Sequence, residues 1–247
     1  MSNSLWNARV DLAAAHRLAV IDGLNEGTWN HFSVRVPDTA EHMLVTPAAC
    51  HWKQVTASSL VVVDATGEKI AGSSDYDRSA YFIHYPMHVA HEQAACVLHV
   101  HPPYATALSM VKGGRLHMTD QNALGLYDRI AYYDSWDGFV FELDHGKRLA
   151  DALGDKRVLF LANHGVVVVG PSVADAYNDL YHLERACMFQ CLALSTGGEL
   201  RPIPPQFART VPAFLEGGGF NGVSNYKAAY FSAMRRLLDS EQPDYAH

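Results

Sequence analysis

The chain has 247 residues, of which 49% are hydrophobic and 18% charged, and its net charge is −7 with histidine neutral. That length and apolar share suit one mixed domain and exclude a disordered chain. An acidic balance without a basic block excludes nucleic acid and anionic membrane surfaces as partners.

Fourteen histidines stand out, because imidazole is the commonest protein metal ligand and titrates near neutrality. The four cysteines, Cys50, Cys96, Cys187 and Cys191, contain no Cys-x-x-Cys pair, which reads as free thiols in a reducing compartment. The first residues lack the charged and apolar regions of a signal peptide, and no apolar run reaches the ~18 residues of a membrane span. A soluble, cytoplasmic protein is expected.

Helical spacing of Val10, Ala13, Ala14, Arg17 and Ile21 predicts a first helix from Asn7 to Gly23, closed by the glycine. Alternation predicts strands over Trp29–Val36, His42–Thr46 and Leu60–Val63, the last followed by an Asp-Ala-Thr-Gly turn and Lys69-Ile70. Ser79 to Ala90 reads as a helix that Pro86 must kink or shift. Ala95–His101, Arg157–Leu161 and Val166–Val169 read as strands, with helices over Pro103–Val111 and His145–Leu153. Ser172 with Asp175 resembles a capping box opening a long helix to about Ser195. The Pro- and Gly-rich stretch from Arg201 to Asn225 reads as a loop or arm before a last helix over Tyr226–Leu238. No repeat and no break between two cores is visible. The expectation is one α/β or α+β domain over residues 1–200, with residues 201–247 as an arm and helix packed on it or on a neighbouring subunit.

The sharpest chemical feature is Leu98-His99-Val100-His101-Pro102-Pro103. On a strand, residues i and i+2 share a face, so His99 and His101 project together and can chelate a divalent cation. A catalytic zinc-type site takes three protein ligands, so a third must come from elsewhere. His84, His88 and His91 form a rival stripe on one helix, but Pro86 disturbs it and the His-Glu-x-x-His pattern is incomplete. That stripe reads as a solvated or interface face. Asn163-His164-Gly165 reads as a turn between two strands, with His164 as a turn side chain, and His182 alone reads as a packed or solvated helical residue.

Four segments carry a resemblance over about residues 8 to 200: Gly23-Leu-Asn-Glu-Gly-Thr-Trp-Asn-His-Phe-Ser-Val-Arg35, LHVHPPYATALS from Leu98 to Ser109, Leu161-Ala-Asn-His-Gly-Val, and the helix containing YHLERA. Together they resemble the class II aldolase/adducin family. The resemblance implies a three-layer α-β-α fold around a central mixed, largely antiparallel sheet. It implies His99, His101 and His182 as ligands of one divalent metal ion per subunit, with zinc foremost and manganese, iron or cobalt also suited. With His182 on the metal, Asn178 and Ala186 share its helix face, Ala186 being small enough for close approach, while Glu184 and Arg185 point elsewhere. Such an ion is a Lewis acid that stabilises an enediolate. Members differ in reaction, from retro-aldol cleavage, epimerisation and dehydration to decarboxylation and iron-dependent oxygenation, and adducin-like domains can lack catalysis.

Departures from the family pattern narrow the reading. Sugar-phosphate members carry Gly-Asn-x-Ser and Thr-Pro-x-Gly where this chain has Asn30-His31-Phe32-Ser33 and Thr46-Pro47-Ala48-Ala49. Backbone donors approach a phosphate closely only where no side chain intervenes, so the lost glycine argues against a phosphate pocket. The first motif and Tyr81-Phe82-Ile83-His84 resemble the adducin-type branch. The aldolase Ser-Ser-Glu acid/base has either a shortened counterpart at Ser73-Ser74-Asp75 or, read without a gap, Ala80 in its place. Loss of that group favours decarboxylation. Candidate catalytic residues are His31, Tyr81, His84 and Asp75. Candidate substrate contacts are Asn30, Ser33 and Arg35, the last equally suited to a structural ion pair.

The expected function is a metal-dependent lyase, a decarboxylase or aldolase, acting on a small non-phosphorylated hydroxy or keto carboxylate. The alternatives are a non-haem iron(II) oxygenase of an aromatic or hydroxy acid and a non-catalytic adducin-like binding domain. The resemblance also implies a homotetramer with sites at subunit interfaces, which the 201–225 arm could reach.

Overall fold

The structure is a computed structural model that describes residues 3–37, 39, 41–218 and 225–247. Eight strands make one sheet: β1 (His31–Arg35), β2 (Met43–Val45), β3 (Val61–Val63), β4 (Lys69–Ala71), β5 (Cys96–Val100), β6 (Ile130–Tyr133), β7 (Val158–Leu161) and β8 (Gly165–Gly170). Their order is β4-β3-β2-β1-β5-β8-β7-β6, antiparallel throughout except for the parallel pair β6–β7.

Period-2 alternation sends side chains of the central strands into two apolar layers. Phe32, Leu98, Val100, Val166 and Val168 pack with Leu12, Leu18, Leu180 and Leu183 of helices α1 (Asn3–Ile21) and α6 (Val173–Ser195). Val97, Val167 and Val169 pack on the other side with Ile83 and Met87 of α2 (Arg78–Ala90) and Leu149 and Leu153 of α5 (Leu143–Leu153). The sheet is therefore covered on both faces, the three-layer, mixed and largely antiparallel arrangement expected. Between β5 and β6 lie α3 (Pro103–Ser109) and α4 (Gln121–Leu124).

Pro86 sits inside α2 and does not end it. Proline has no N–H for the carbonyl of residue i−4, here Phe82. Gly146 of α5 lies against that carbonyl so closely that a Cβ on it would stand 1.8 Å from the Phe82 oxygen. The proline and the glycine thus meet where the two helices cross.

The arm is more ordered than its composition suggests. Prolines open two short helices, α7 (Pro205–Ala208) and α8 (Val211–Glu216), at the first-turn positions where a missing N–H costs nothing. Residues 219–224 of the expected arm lie outside the described residues. The last helix, α9 (Tyr226–Glu241), places Phe231 and Leu238 in the same core as α1, and Arg17–Asp244 and Arg235–Asp11 ion pairs at 2.7 and 2.6 Å tie the C-terminal segment to that helix. Strand β6 and helix α4 were not expected; β6 is a half-buried edge strand without clear alternation. Among the described residues no helix is long and apolar enough to cross a membrane.

Candidate active site

Strand β5 runs antiparallel between β1 and β8, with His99 opposite His31 on one side and Val167 on the other. His101 follows the strand directly, held there by Pro102 and Pro103 as α3 begins. Beside them the chain turns from β7 into β8 through Ala162, Asn163 and His164. Asn163 takes φ 56°, the left-handed conformation that asparagine tolerates best after glycine. Gly165 then passes so near β5 that a Cβ would lie 2.5 Å from the Val100 oxygen and 2.8 Å from the His101 ring.

This tight turn brings His164 against the pair. One ligating nitrogen each from His99, His101 and His164 lies within 4.8 Å of the others, with ring centroids 4.7 to 5.1 Å apart. His99 donates from Nδ1 to the Val166 carbonyl at 3.0 Å, leaving Nε2 as its lone-pair nitrogen. His101 donates from Nδ1 to the Glu26 carboxylate at 2.7 Å, and its Nε2 is buried with no protein partner. Both rings are thus oriented by a hydrogen bond on one nitrogen and free on the other, the usual arrangement of metal-ligating histidines. Burial, and then the neighbouring imidazoles, pull the pKa of His99 well below its usual value and that of His164 down to about 4, so both offer neutral nitrogens at neutral pH. Three imidazoles with converging ligand nitrogens fit a divalent cation.

His182 is not part of this group. It lies on α6, whose apolar face packs on the side of the sheet opposite the layer of α2 and α5, and its Nδ1 engages Asn122 of α4 at 3.0 Å. The third histidine brought to the pair is therefore His164, read from the sequence as a turn residue. Glu184, two residues beyond His182, accepts the Tyr104 and Ala105 N–H groups at 2.8 Å each and so anchors the first turn of α3 just after His101.

The other candidates divide. His31 and His84 do lie together beside the triad: their facing nitrogens are 2.8 Å apart, and the His31 ring centroid is 5.1 Å from that of His99. Asn30 adopts φ 69° just before β1, and both polar atoms of its amide are buried without a partner. Ser33 is fully buried between His84 and His88, so it bonds to protein rather than facing a ligand. Arg35 donates to the carbonyls of His88 and His91 at the C-terminus of α2, a structural role. Tyr81 is buried with its hydroxyl donated to the Ala65 carbonyl at 2.9 Å. Asp75 is exposed and paired with Lys69 at 2.8 Å. The His84 and His88 stripe is not solvated: both are buried in hydrogen bonds under α2.

Besides His164, three residues carry weight that the sequence alone does not assign them. Glu26 was within reach, since a carboxylate commonly orients a ligating histidine. His88 was set aside with its stripe. Trp136 stands edge-on to His164 at 5.9 Å between centroids, and with the exposed Phe139 and Phe141 it forms an aromatic rim beside the triad.

The Ala49 backbone takes φ 56°, so the turn that carries glycine in sugar-phosphate members keeps a glycine-like shape while bearing a side chain. Thr46 in the same segment is occupied internally, accepting the Phe32 N–H at 2.7 Å and donating to His16 Nε2 at 2.8 Å.

Comparisons with known proteins show the family and the fold. The profile described as Class II Aldolase and Adducin N-terminal domain matches residues 10–191. A Caulobacter vibrioides protein provisionally named for aldolase class 2 is 36% identical over 247 residues, covering 100% of this chain and 94% of its own. Mouse alpha-adducin is 35% identical over 194 residues, 77% of this chain and 26% of adducin. The crystal structure of an aldolase II superfamily protein from Pseudomonas syringae superposes with a TM-score of 0.90 at 34% identity, covering 100% of this chain and 98% of that one. An L-fuculose 1-phosphate aldolase from Glaciozyma antarctica gives 0.82 at 26% identity, covering 96% and 92%. The chain belongs to the class II aldolase and adducin family.

Proposed function

We propose that this protein is a divalent-metal-dependent carbon–carbon lyase whose cation is held by His99, His101 and His164. The observation that carries the reading is the convergence of three ligating nitrogens within 4.8 Å, with His101 Nε2 buried and unpartnered. A divalent cation held there supplies Lewis-acid stabilisation of negative charge on substrate oxygens.

The chain's own groups do the rest. Glu26 fixes the His101 ring, and the Val166 carbonyl fixes that of His99. The unpartnered amide of Asn30 supplies a substrate hydrogen bond. His31, backed by His84, holds or moves a proton next to His99. Trp136 packs edge-on against His164. The substrate is a small non-phosphorylated hydroxy or keto carboxylate, a reading supported by the side chain that Ala49 carries in that turn and by the internal bonding of Thr46. Asp75, exposed and ion-paired, is not in place as the aldolase acid, which favours decarboxylation over retro-aldol cleavage.

The similarity to alpha-adducin supports a second reading, a binding domain without catalysis. One experiment separates them. Purified protein is analysed for bound metal and then assayed for carbon dioxide and aldehyde release from a panel of hydroxy and keto acids, with the His99→Ala, His101→Ala double variant as control. The lyase reading requires about one cation per chain and turnover that the double variant loses. A metal-free protein, or a double variant with full turnover, overturns it. A metal-loaded protein that consumes oxygen with these acids is an oxygenase instead.

A further inference from the structure

Three imidazoles and one hydroxyl run in single file inward from the triad, and their hydrogens can be counted. His88 Nδ1 lies 2.5 Å from the Ala94 carbonyl oxygen. A carbonyl only accepts, so Nδ1 carries the hydrogen. Burial keeps His88 neutral, with its pKa drawn down to about 4, so Nε2 holds a lone pair. Ser33 Oγ, 2.8 Å from that nitrogen, donates its single hydrogen there. Ser33 then has only lone pairs to offer His84 Nδ1 at 2.6 Å, and that nitrogen must donate. His84 is also fully buried and neutral, so its Nε2 accepts from His31 Nδ1 at 2.8 Å.

Each link is fixed by the one before it. All three rings are held in the Nδ1–H tautomer, the form that free imidazole favours less in water. His31 Nε2 is left as an acceptor. Its neighbour is Ser79 Oγ at 3.2 Å, whose hydrogen can turn instead to Asp77 Oδ1 at 2.8 Å and release the His31 lone pair.

We propose that Ser33 and His88 are positioning residues: through this one-way chain the Ala94 carbonyl sets the tautomer of His31 and presents its Nε2 as the acceptor for a substrate hydroxyl beside His99. The inference rests on the lyase reading for its consequence, while the chain itself can be tested apart from activity. Directional networks of this kind are held or lost together, because one broken link leaves the next buried group unpaired.

The test uses the full chain labelled with 15N-histidine, with and without zinc, and reads the ring-nitrogen shifts of His31, His84 and His88 by long-range proton–nitrogen correlation. All three should show the Nδ1–H pattern. In Ser33→Ala, His88 should keep it while His84 and His31 lose it. On an accepted substrate kcat should then fall about tenfold or more, the scale of a misplaced acid–base group, with KM changing less than about twofold. Ser33→Thr should restore both the tautomers and kcat. Should Ser33→Ala fail to fold, Ser33→Cys, which keeps the shape and weakens both bonds, takes its place. An Nε2–H tautomer at His31 in the wild type overturns the proposal, as does an unchanged His31 tautomer in the variant or an undiminished kcat after its loss. If the wild type turns over no hydroxy or keto acid, the lyase reading fails, and the wild-type tautomer pattern alone decides the chain.

Discussion

Replacing Gly165 by alanine puts a methyl carbon 2.5 Å from the Val100 carbonyl oxygen, 2.8 Å from His101 Cδ2 and 3.2 Å from His101 Cα. A carbon sits comfortably against a carbonyl oxygen at about 3.3 Å, so the strands must separate by roughly 0.8 Å. The obstacle is space alone, because φ at Gly165 is not in the left-handed region. The Val100 carbonyl cannot swing aside cheaply, being backbone in the β5–β8 pair. Overpacking of this kind costs about 1–3 kcal/mol. At about 2–4 °C per kcal/mol for a chain of this size, the Tm of the metal-free protein should fall by roughly 2–12 °C. The same displacement moves His101 relative to His99 and His164, so cation affinity should drop about 10- to 100-fold, as when a group orienting a ligand is lost. Thermal melts in chelator and a cobalt titration followed by its visible absorption read the two effects separately. A Gly165→Ala protein with wild-type Tm and wild-type cobalt affinity would refute the close approach on which the triad depends.

Other expectations follow from the same reasoning. Gly146→Ala drives a methyl into the Phe82 carbonyl at the α2–α5 crossing and should destabilise the fold by about 3 kcal/mol or more, read by urea unfolding; a change under about 0.5 kcal/mol would show that the helices do not pack so closely. Glu184→Gln keeps one acceptor for the Tyr104 and Ala105 N–H groups and sets an NH2 against the other, so it should cost about 1–3 kcal/mol in the same assay, and no loss would contradict the anchoring of α3. Burial holds His16 neutral down to about 4 against an ordinary 6.5, while the unfolded chain takes up its proton near 6.5. Its stabilisation is therefore full above pH 6.5 and is lost as pH falls toward 4, on the order of 3 kcal/mol for the group. Unfolding free energy should decline over that window while the His16 ring resonance keeps its neutral shift to about pH 5. A His16 resonance titrating near 6.5 would contradict it.

Much of this architecture was legible in the sequence because period and punctuation agreed. The alternation around Leu98, His99, Val100 and His101 gives the strand, the shared face and the stop at Pro102, and Ser172 does cap α6, accepting the Asp175 N–H at 3.1 Å. His164 was not legible as the third member of the cluster, because its value comes from strand order. Only with β8 beside β5 does the turn before β8 meet the end of β5, and neither residue spacing nor the Asn-His-Gly signal contains that adjacency. His182 entered as a ligand only through the resemblance, and a helical histidine can be assigned a face from sequence but not a side of the sheet. Proline spoke ambiguously as well: Pro86 lies within a helix whose neighbour has a glycine to receive it, and Pro205 and Pro212 begin helices in what reads as an arm. The burial of His84 and His88 was hidden for a related reason, since β1 supplies their partner Ser33 from more than fifty residues away.

The most direct test of the central claim is metal content by mass spectrometry of wild type, His164→Ala and His182→Ala after loading with zinc and gel filtration. We expect about one zinc per chain in wild type and His182→Ala, and little in His164→Ala. Zinc retained by His164→Ala and lost by His182→Ala would contradict the account.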